Sequence, residues 1–424
     1  MPAGVGVGFR FPDEPMSATL LEEPDPSPPE TTPGLGARVV AVLKEGARAL
    51  WGAGEPRQPA LDVLRAASIL AVFAQHWPSR FYTGGGVNVG LDGVPPFSVG
   101  FAGVDMFFVL SGFLIGRQLW KELAKDGTVL LPRFFLRRTL RIWPYYFFAL
   151  LAWSFLWRPV ESGPARLCEI FFYANYTLIR GIPGSWSLST EEQFYIVAPL
   201  LLLALGRRIP LWGFFVVFGA IEVAVIGARY HEVGQLVAAG QKVEYFEQIH
   251  LHCDGLVAGM ALALASVLRP KWFEVGRNAV RGWIVFAVGC AVAVGLYKLE
   301  RKVYNLASLA IIFTVLTYAL LQSGRLLQKI MSFRGFQIIS MLSFGMYLNH
   351  FLFMTELGRW WGGATKDLMS PTAAFLVGFV LASVVCTAVA AVTYVLIEHP
   401  FLVLRDSLLR RPAFSGARKA RDPS

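Results

Sequence analysis

Charge is scarce in this chain. Of its 424 residues only 16% are Asp, Glu, Lys or Arg, against 55% hydrophobic residues that include 33 Phe and 12 Trp. A soluble protein of this length needs far more charge to cover its surface, so a water-soluble globular fold is excluded. The cysteines Cys168, Cys253, Cys290 and Cys386 lie far apart without metal-ligand spacing, and no metal site is expected. Cys290 and Cys386 read as small side chains of the lipid zone. A Cys168–Cys253 disulfide needs both residues outside the cell, and free thiols are favoured over it. No cleavable signal peptide is visible, because the N-terminus is acidic and Pro-rich, without a basic stretch followed by an apolar one. Nor does an internal repeat appear, which weakens the case for a transporter built from repeated halves.

What is present is a series of apolar runs near twenty residues long. Lipid leaves no partner for unpaired backbone groups, so these runs must be helices. Ten spans are predicted: 61–79, 98–116, 140–157, 187–205, 211–228, 250–268, 282–298, 303–322, 336–357 and 372–397. The expected fold is an all-α polytopic membrane protein, a bundle of about ten transmembrane helices. The net charge of +10 calls for no nucleic acid, since the basic residues cluster between the apolar runs. Alternate loops and both tails collect about 27 Lys and Arg against about 11 opposite, which predicts cytoplasmic termini. Residues 1–57 are then a cytoplasmic tail, largely disordered, in which 37–51 forms either an amphipathic interfacial helix or a solvated linker. Residues 58–401 form the membrane domain, and 402–424 a basic cytoplasmic tail.

Within the first run, LDVLRAASILAVFAQHW (Leu61 to Trp77), stand Arg65 and His76. Eleven residues make about three helical turns, so both side chains leave one face, about 16 Å apart along the axis. Ionisable groups inside a spanning helix are costly and persist mainly where they have a task or a partner. An imidazole in a water-poor site suits a general base for a hydroxyl. Other polar groups fall into two layers. Toward the outer surface lie His76, SWSLSTEEQFY with Trp186, Glu191 and Tyr195, then His252 with Asp254, and Asn349 with His350. Toward the cytoplasm lie Arg65, RRTLRIWPYY and Glu398. Glu191 is the carboxylate expected to orient His76. Alternatively Glu191 and Glu192 simply open a helix capped by Ser187 or Ser189 and complement its dipole. Arg137, Arg138 and Arg141 are either positive-inside charge or a phosphate clamp, since guanidinium groups grip phosphates bidentately. In GVDMFFVLSGFLIGR, Gly112 and Gly116 permit close helix approach, while Asp105 and Ser111 are candidate lining residues.

Together these blocks resemble the acyltransferase-3 family of integral membrane O-acyltransferases. LDVLRAASILAVFAQHW, GVDMFFVLSGFLIG, RRTLRIWPYYF, SWSLSTEEQFY, SFGMYLNH and EHPF occur in the family's order from Leu61 to Phe401. The resemblance implies transfer of an acyl group, acetyl by default, from cytoplasmic acyl-coenzyme A to a hydroxyl of a carbohydrate or glycolipid. It implies His76 as the catalytic histidine, paired with Arg65. Arg65, Arg137, Arg138 and Arg141 would hold the donor's phosphates, and Glu191 would serve His76, which acts as general base or carries the acyl group itself. Asp105, Ser111, Trp186, Tyr195, Asp254, Asn349 and His350 would line the chamber. No permanently bound cofactor is expected. The partners are membrane lipid, the acyl-coenzyme A donor and the glycan acceptor, with a homo-oligomer left open; the location is the bacterial inner membrane. The tail from Arg405 to Ser424 is too short for the esterase-like domain fused to some relatives. A transporter or lipid-linked glycan flippase fits the same spans and charges, and so does a sensor subunit without turnover.

Overall fold

The computed structural model describes residues 35–51, 58–156, 163–177, 181–241, 246–274, 278–300 and 305–411. No strand occurs among them; the α-helices are α1 (Leu35–Trp51), α2 (Pro59–Thr83), α3 (Ala102–Asp126), α4 (Leu131–Leu156), α5 (Gly163–Ile170), α6 (Ser185–Leu205) and α7 (Phe214–Ala238), then α8 (Asp254–Leu268), α9 (Ala279–Glu300), α10 (Leu306–Leu321), α11 (Arg325–Met331), α12 (Arg334–Ala364), α13 (Pro371–Thr393) and α14 (His399–Leu409). Each of the ten predicted spans coincides with one of these helices. By length and apolar composition six of them can cross a membrane, and α10 with α11, bent by 109°, makes a seventh. The shortfall has a physical basis. α2 carries Asp62, Arg65 and Arg80, α4 carries four arginines in its first half, and α8 is apolar but only 15 residues long.

The outer faces of the bundle fit lipid. On α9, Val280, Ile284, Val288 and Val292 recur every fourth residue and are all more than half exposed. On α13, Val380 and Val384 do the same. Unpartnered apolar stripes of this kind are costly in water and neutral in hydrocarbon. The chain is a multi-pass membrane protein.

Residues 1–41 and 42–424 form two units. Most of the segment expected to be disordered lies outside the described residues, while the amphipathic stretch 37–51 is helical within α1. The segment expected to be a basic tail from residue 402 continues as helix α14 to Leu409. All four cysteines are free.

Two packing arrangements position the site. α3 meets α8 glycine to backbone: a Cβ on Gly112 would lie 2.1 Å from the Leu256 carbonyl oxygen, and one on Gly259 2.2 Å from that of Val109. The small residues read from the sequence therefore serve close approach. Gly112→Leu should separate these helices and lower the protein's stability by about 3 kcal/mol. Thermal unfolding in detergent measures this, and an unchanged melting temperature would contradict the contact. The second arrangement centres on α2. Its Leu61, Leu64 and Val72 join the core built on α3, α4, α6 and α8, whereas Phe73, Trp77 and Phe81 join a second core with α12 and α13. Trp77 Nε1 donates to the Phe375 carbonyl at 3.0 Å and fixes α2 against α13. α2 thus stands between two cores, with its polar residues facing the seams.

Candidate active site

A cavity opens between α2, α3, α4, α6 and α12. Helical spacing accounts for its polar lining. Ser187, Glu191 and Tyr195 stand four apart on α6, Arg138 and Arg141 three apart on α4, and Ser343 and Tyr347 four apart on α12. Arg65 of α2 and Ser111 of α3 complete it. Apolar Phe107, Phe108, Leu114, Ile142 and Phe344 supply the remaining wall.

Charge is unevenly balanced here. Glu191 accepts hydrogen bonds from the Ser111 hydroxyl and, at 3.3 Å, from Tyr195 Oη. Arg138 donates to Gln118 Oε1 at 3.3 Å and lies 5.7 Å from the Tyr195 ring centroid. Arg65 and Arg141 donate no hydrogen bond to any described residue. Three guanidinium groups thus face one carboxylate across a partly apolar space. Like charges in such a space repel strongly, and a bound anion would relieve them.

A second cavity adjoins the first and shares Arg65, Leu114 and Arg141 with it. Gln58, Asp62, Arg117, Ser340, Tyr394 and Glu398 line the rest. Ser340 Oγ donates to Asp62 Oδ1 at 2.6 Å. Glu398 closes a π-helical turn, Tyr394–Glu398, at the end of α13. Arg65 and Arg141 therefore stand between two adjacent spaces.

His76 lies farther along α2. Its ring packs on Phe351 (centroids 4.4 Å apart) and His350 (5.4 Å), and no described residue hydrogen-bonds to either ring nitrogen. Tyr347 connects this histidine pair to the first cavity: it lines that cavity, and its ring centroid is 5.5 Å from that of His350. Tyr347 Oη is held by Ser187 Oγ at 2.5 Å and donates to the Gly184 carbonyl at 2.9 Å. Gly184 has φ +84°, and a Cβ there would sit 3.0 Å from the Phe351 ring, so glycine fits this turn on both counts.

The two expectations for Glu191 both change. α6 begins at Ser185, after Gly184, so Glu191 and Glu192 lie in its second turn rather than its first. They therefore do not serve as first-turn acids, and Ser187 and Ser189 do not cap. Nor does Glu191 contact His76; its oxygens are taken by Ser111 and Tyr195, and Arg138 and Arg65 are its charged neighbours.

Of the expected lining residues, Ser111 and Tyr195 line the first cavity, while the others line neither cavity. Asp105 is paired with His252 Nε2 at 2.8 Å, and Asp254 is bonded bidentately by Arg229 at 2.7 and 2.8 Å. Those buried carboxylates hold helices together. Trp186 stacks on His252, and Asn349 donates to Tyr145 Oη at 2.6 Å. Arg137 also lines neither cavity; its charged neighbours are Arg133, Glu122, Arg405 and Asp406. His350 lies behind Tyr347, buried. The sequence reading missed Ser187, Tyr347, Arg117 and Asp62. The polar stripe Ser340, Ser343, Tyr347, His350 on α12 was the available signal. It also missed Glu169, whose carboxylate accepts from Gly181 N, Ile182 N, Ser185 Oγ and Tyr146 Oη and so fixes the turn leading into α6.

The acyltransferase-3 family model, described as an acyltransferase domain, matches residues 58–394. The chain belongs to this family. Most of the acyltransferase-3 domain also aligns with peptidoglycan O-acetyltransferase OatA of Listeria monocytogenes, 25% identical over 328 residues, 70% of this chain and 49% of that protein. A putative O-acetyltransferase of Staphylococcus aureus is 30% identical over 165 residues, and O-acetyltransferase OatA of the same species 29% over 168. Each staphylococcal alignment covers 35% of this chain and 25% of the relative. The chain thus spans about half the length of the Listeria protein. No solved structure matches.

Proposed function

We propose that this acyltransferase-3 protein transfers an acyl group, acetyl first among the candidates, from cytoplasmic acyl-coenzyme A to a hydroxyl of a carbohydrate or glycolipid. The single observation that carries this reading is the pair of adjoining cavities. Between them Arg65 and Arg141 offer guanidinium groups that donate no hydrogen bond to any described residue, and the first space reaches toward His76 by way of Tyr347. The relatives named O-acetyltransferases support acetyl and a glycan acceptor.

In this reading the chain crosses a bacterial inner membrane ten times with both termini in the cytoplasm, so the second cavity opens on the cytosol. Arg65, Arg138 and Arg141, with Arg117 at the mouth, bind the coenzyme phosphates. Glu191 serves as the counter-charge that keeps the arginines in register. The pantetheine arm extends along the apolar wall toward Tyr347. His76 accepts the proton of the acceptor hydroxyl while its oxygen attacks the thioester carbonyl; the carbon–sulfur bond breaks, and the departing thiolate recovers the proton. Both substrates must meet where water is scarce, since hydrolysis would otherwise compete.

Incubating the purified protein with acetyl-coenzyme A labelled in the acetyl group, together with an envelope glycan extract, tests this directly. The expected result is a base-labile labelled glycan and an equal amount of free coenzyme A. A flippase instead moves intact lipid-linked glycan between leaflets and releases no coenzyme A; that outcome would overturn the reading.

A further inference from the structure

The protonated form of His76 needs a hydrogen-bond acceptor, and its surroundings offer no carboxylate for that purpose. Among the described residues no Asp or Glu pairs with His76. The nearest fixed charge is the wrong sign: Arg80 lies 5.0 Å from the centroid of the Phe351 ring against which His76 packs. An imidazolium formed there has two N–H groups. One returns the proton to the thiolate, and the other must find a lone pair or remain buried without one.

His350 carries that lone pair. Its Nδ1 contacts the Tyr347 carbonyl oxygen at 2.5 Å, and a carbonyl only accepts, so Nδ1 bears the hydrogen. Nε2 is then the bare nitrogen. It is fully buried and has no hydrogen-bond partner among the described residues. The ring is packed among Phe73, Phe351, Tyr347 and His76. A buried acceptor left unpaired among apolar groups costs stability, and the donor beside it is the N–H that His76 keeps in its neutral and its protonated form alike. Ring centroids 5.4 Å apart leave about 3 Å between facing nitrogens once the rings turn edge to edge, a hydrogen-bond distance.

The structure assigns His350 as a positioning residue, the neutral acceptor that receives the second N–H of protonated His76. The assignment rests on the proposed role of His76 as the base. His350 performs here the part that a carboxylate plays in a Ser-His-Asp triad, without adding negative charge to the cavity. The proton taken from the acceptor hydroxyl stays on His76 and returns to the thiolate; His350 gains none.

Three variants, purified in detergent and supplied with acetyl-coenzyme A and acceptor glycan, test it. His350→Phe keeps the packed ring but removes the lone pair, and should lower kcat about 100-fold with an unchanged KM for the donor. His350→Gln places an amide oxygen near the position of Nε2, whereas the shorter His350→Asn does not reach it. The glutamine variant should therefore turn over about tenfold faster than the asparagine variant. Wild-type kcat in His350→Phe would overturn the assignment. Should that variant not fold, equal kcat for the Gln and Asn variants would do the same. His76→Ala separates the two levels: wild-type turnover there removes the base itself, whereas an inactive His76→Ala beside a fully active His350→Phe removes only the role of His350.

Discussion

His76→Ala should bring acyl transfer below detection, a loss of at least about 10²–10⁴-fold in kcat, the range that general-base catalysis supplies. No other group in reach can take over. Glu191 accepts from Ser111 and Tyr195 and sits beside arginines, and no contact with His76 is made. His350 has a free lone pair, but Phe351, Tyr347 and Phe73 enclose it. Donor binding should survive, because the guanidinium groups assigned to the phosphates lie about three helical turns away on α2 or on other helices. Release of coenzyme A, followed with a thiol reagent, measures the rate, and bound labelled donor confirms a folded site. Wild-type release by folded His76→Ala would remove the histidine from the mechanism.

Arg65→Ala should raise the donor KM about 100-fold, with a smaller change in kcat. Arg65 lines both cavities and spends no hydrogen bond on the protein, so its donors are available to an anion. Two charge-assisted hydrogen bonds to phosphate contribute about 3 kcal/mol together, which corresponds to that factor. Arg65→Lys should recover only part of it, since an ammonium cannot grip two oxygens in one plane. Arg137→Ala is the matched control. Arg137 is basic and two helical positions of the same cluster share its sequence block, but it faces neither cavity, and its removal should change donor KM by less than about threefold. Isothermal titration with coenzyme A, or donor titration of the rate, reads all three variants. Equal effects for Arg65→Ala and Arg137→Ala would show that the arginines act only through general positive charge.

The cluster Arg137, Arg138 and Arg141 shows where sequence reasoning reaches its limit. Spacing joins Arg138 to Arg141 and Arg137 to Arg141 alike, because three or four residues bring two side chains to one helix face. It does not say which of the several faces of α4 meets a cavity, and Arg137 was assigned with its neighbours. Arg65 and His76 were legible for the opposite reason: ionisable groups in an apolar run stand out wherever the helix packs. Asp105 and Asp254 stand out in the same way, yet each is matched by a buried partner distant in sequence or on another helix, His252 just before α8 or Arg229 on α7. The sequence marks a costly group without revealing whether a partner or a substrate offsets the cost.

Hydrophobic runs, helical periodicity and glycine spacing are local properties, and they were enough to determine a helical membrane protein, the positions of ten of its helices and the α3 seam. Partnership across the bundle is not local. Glu191 meets Ser111 from 80 positions away, and His76 on α2 meets His350 on α12 only because those helices pack side by side. Packing of faces distant in sequence decided that the glutamate belongs to the arginines and that an imidazole stands beside the histidine, since a side chain's partner depends on which helices touch rather than on its neighbours along the chain.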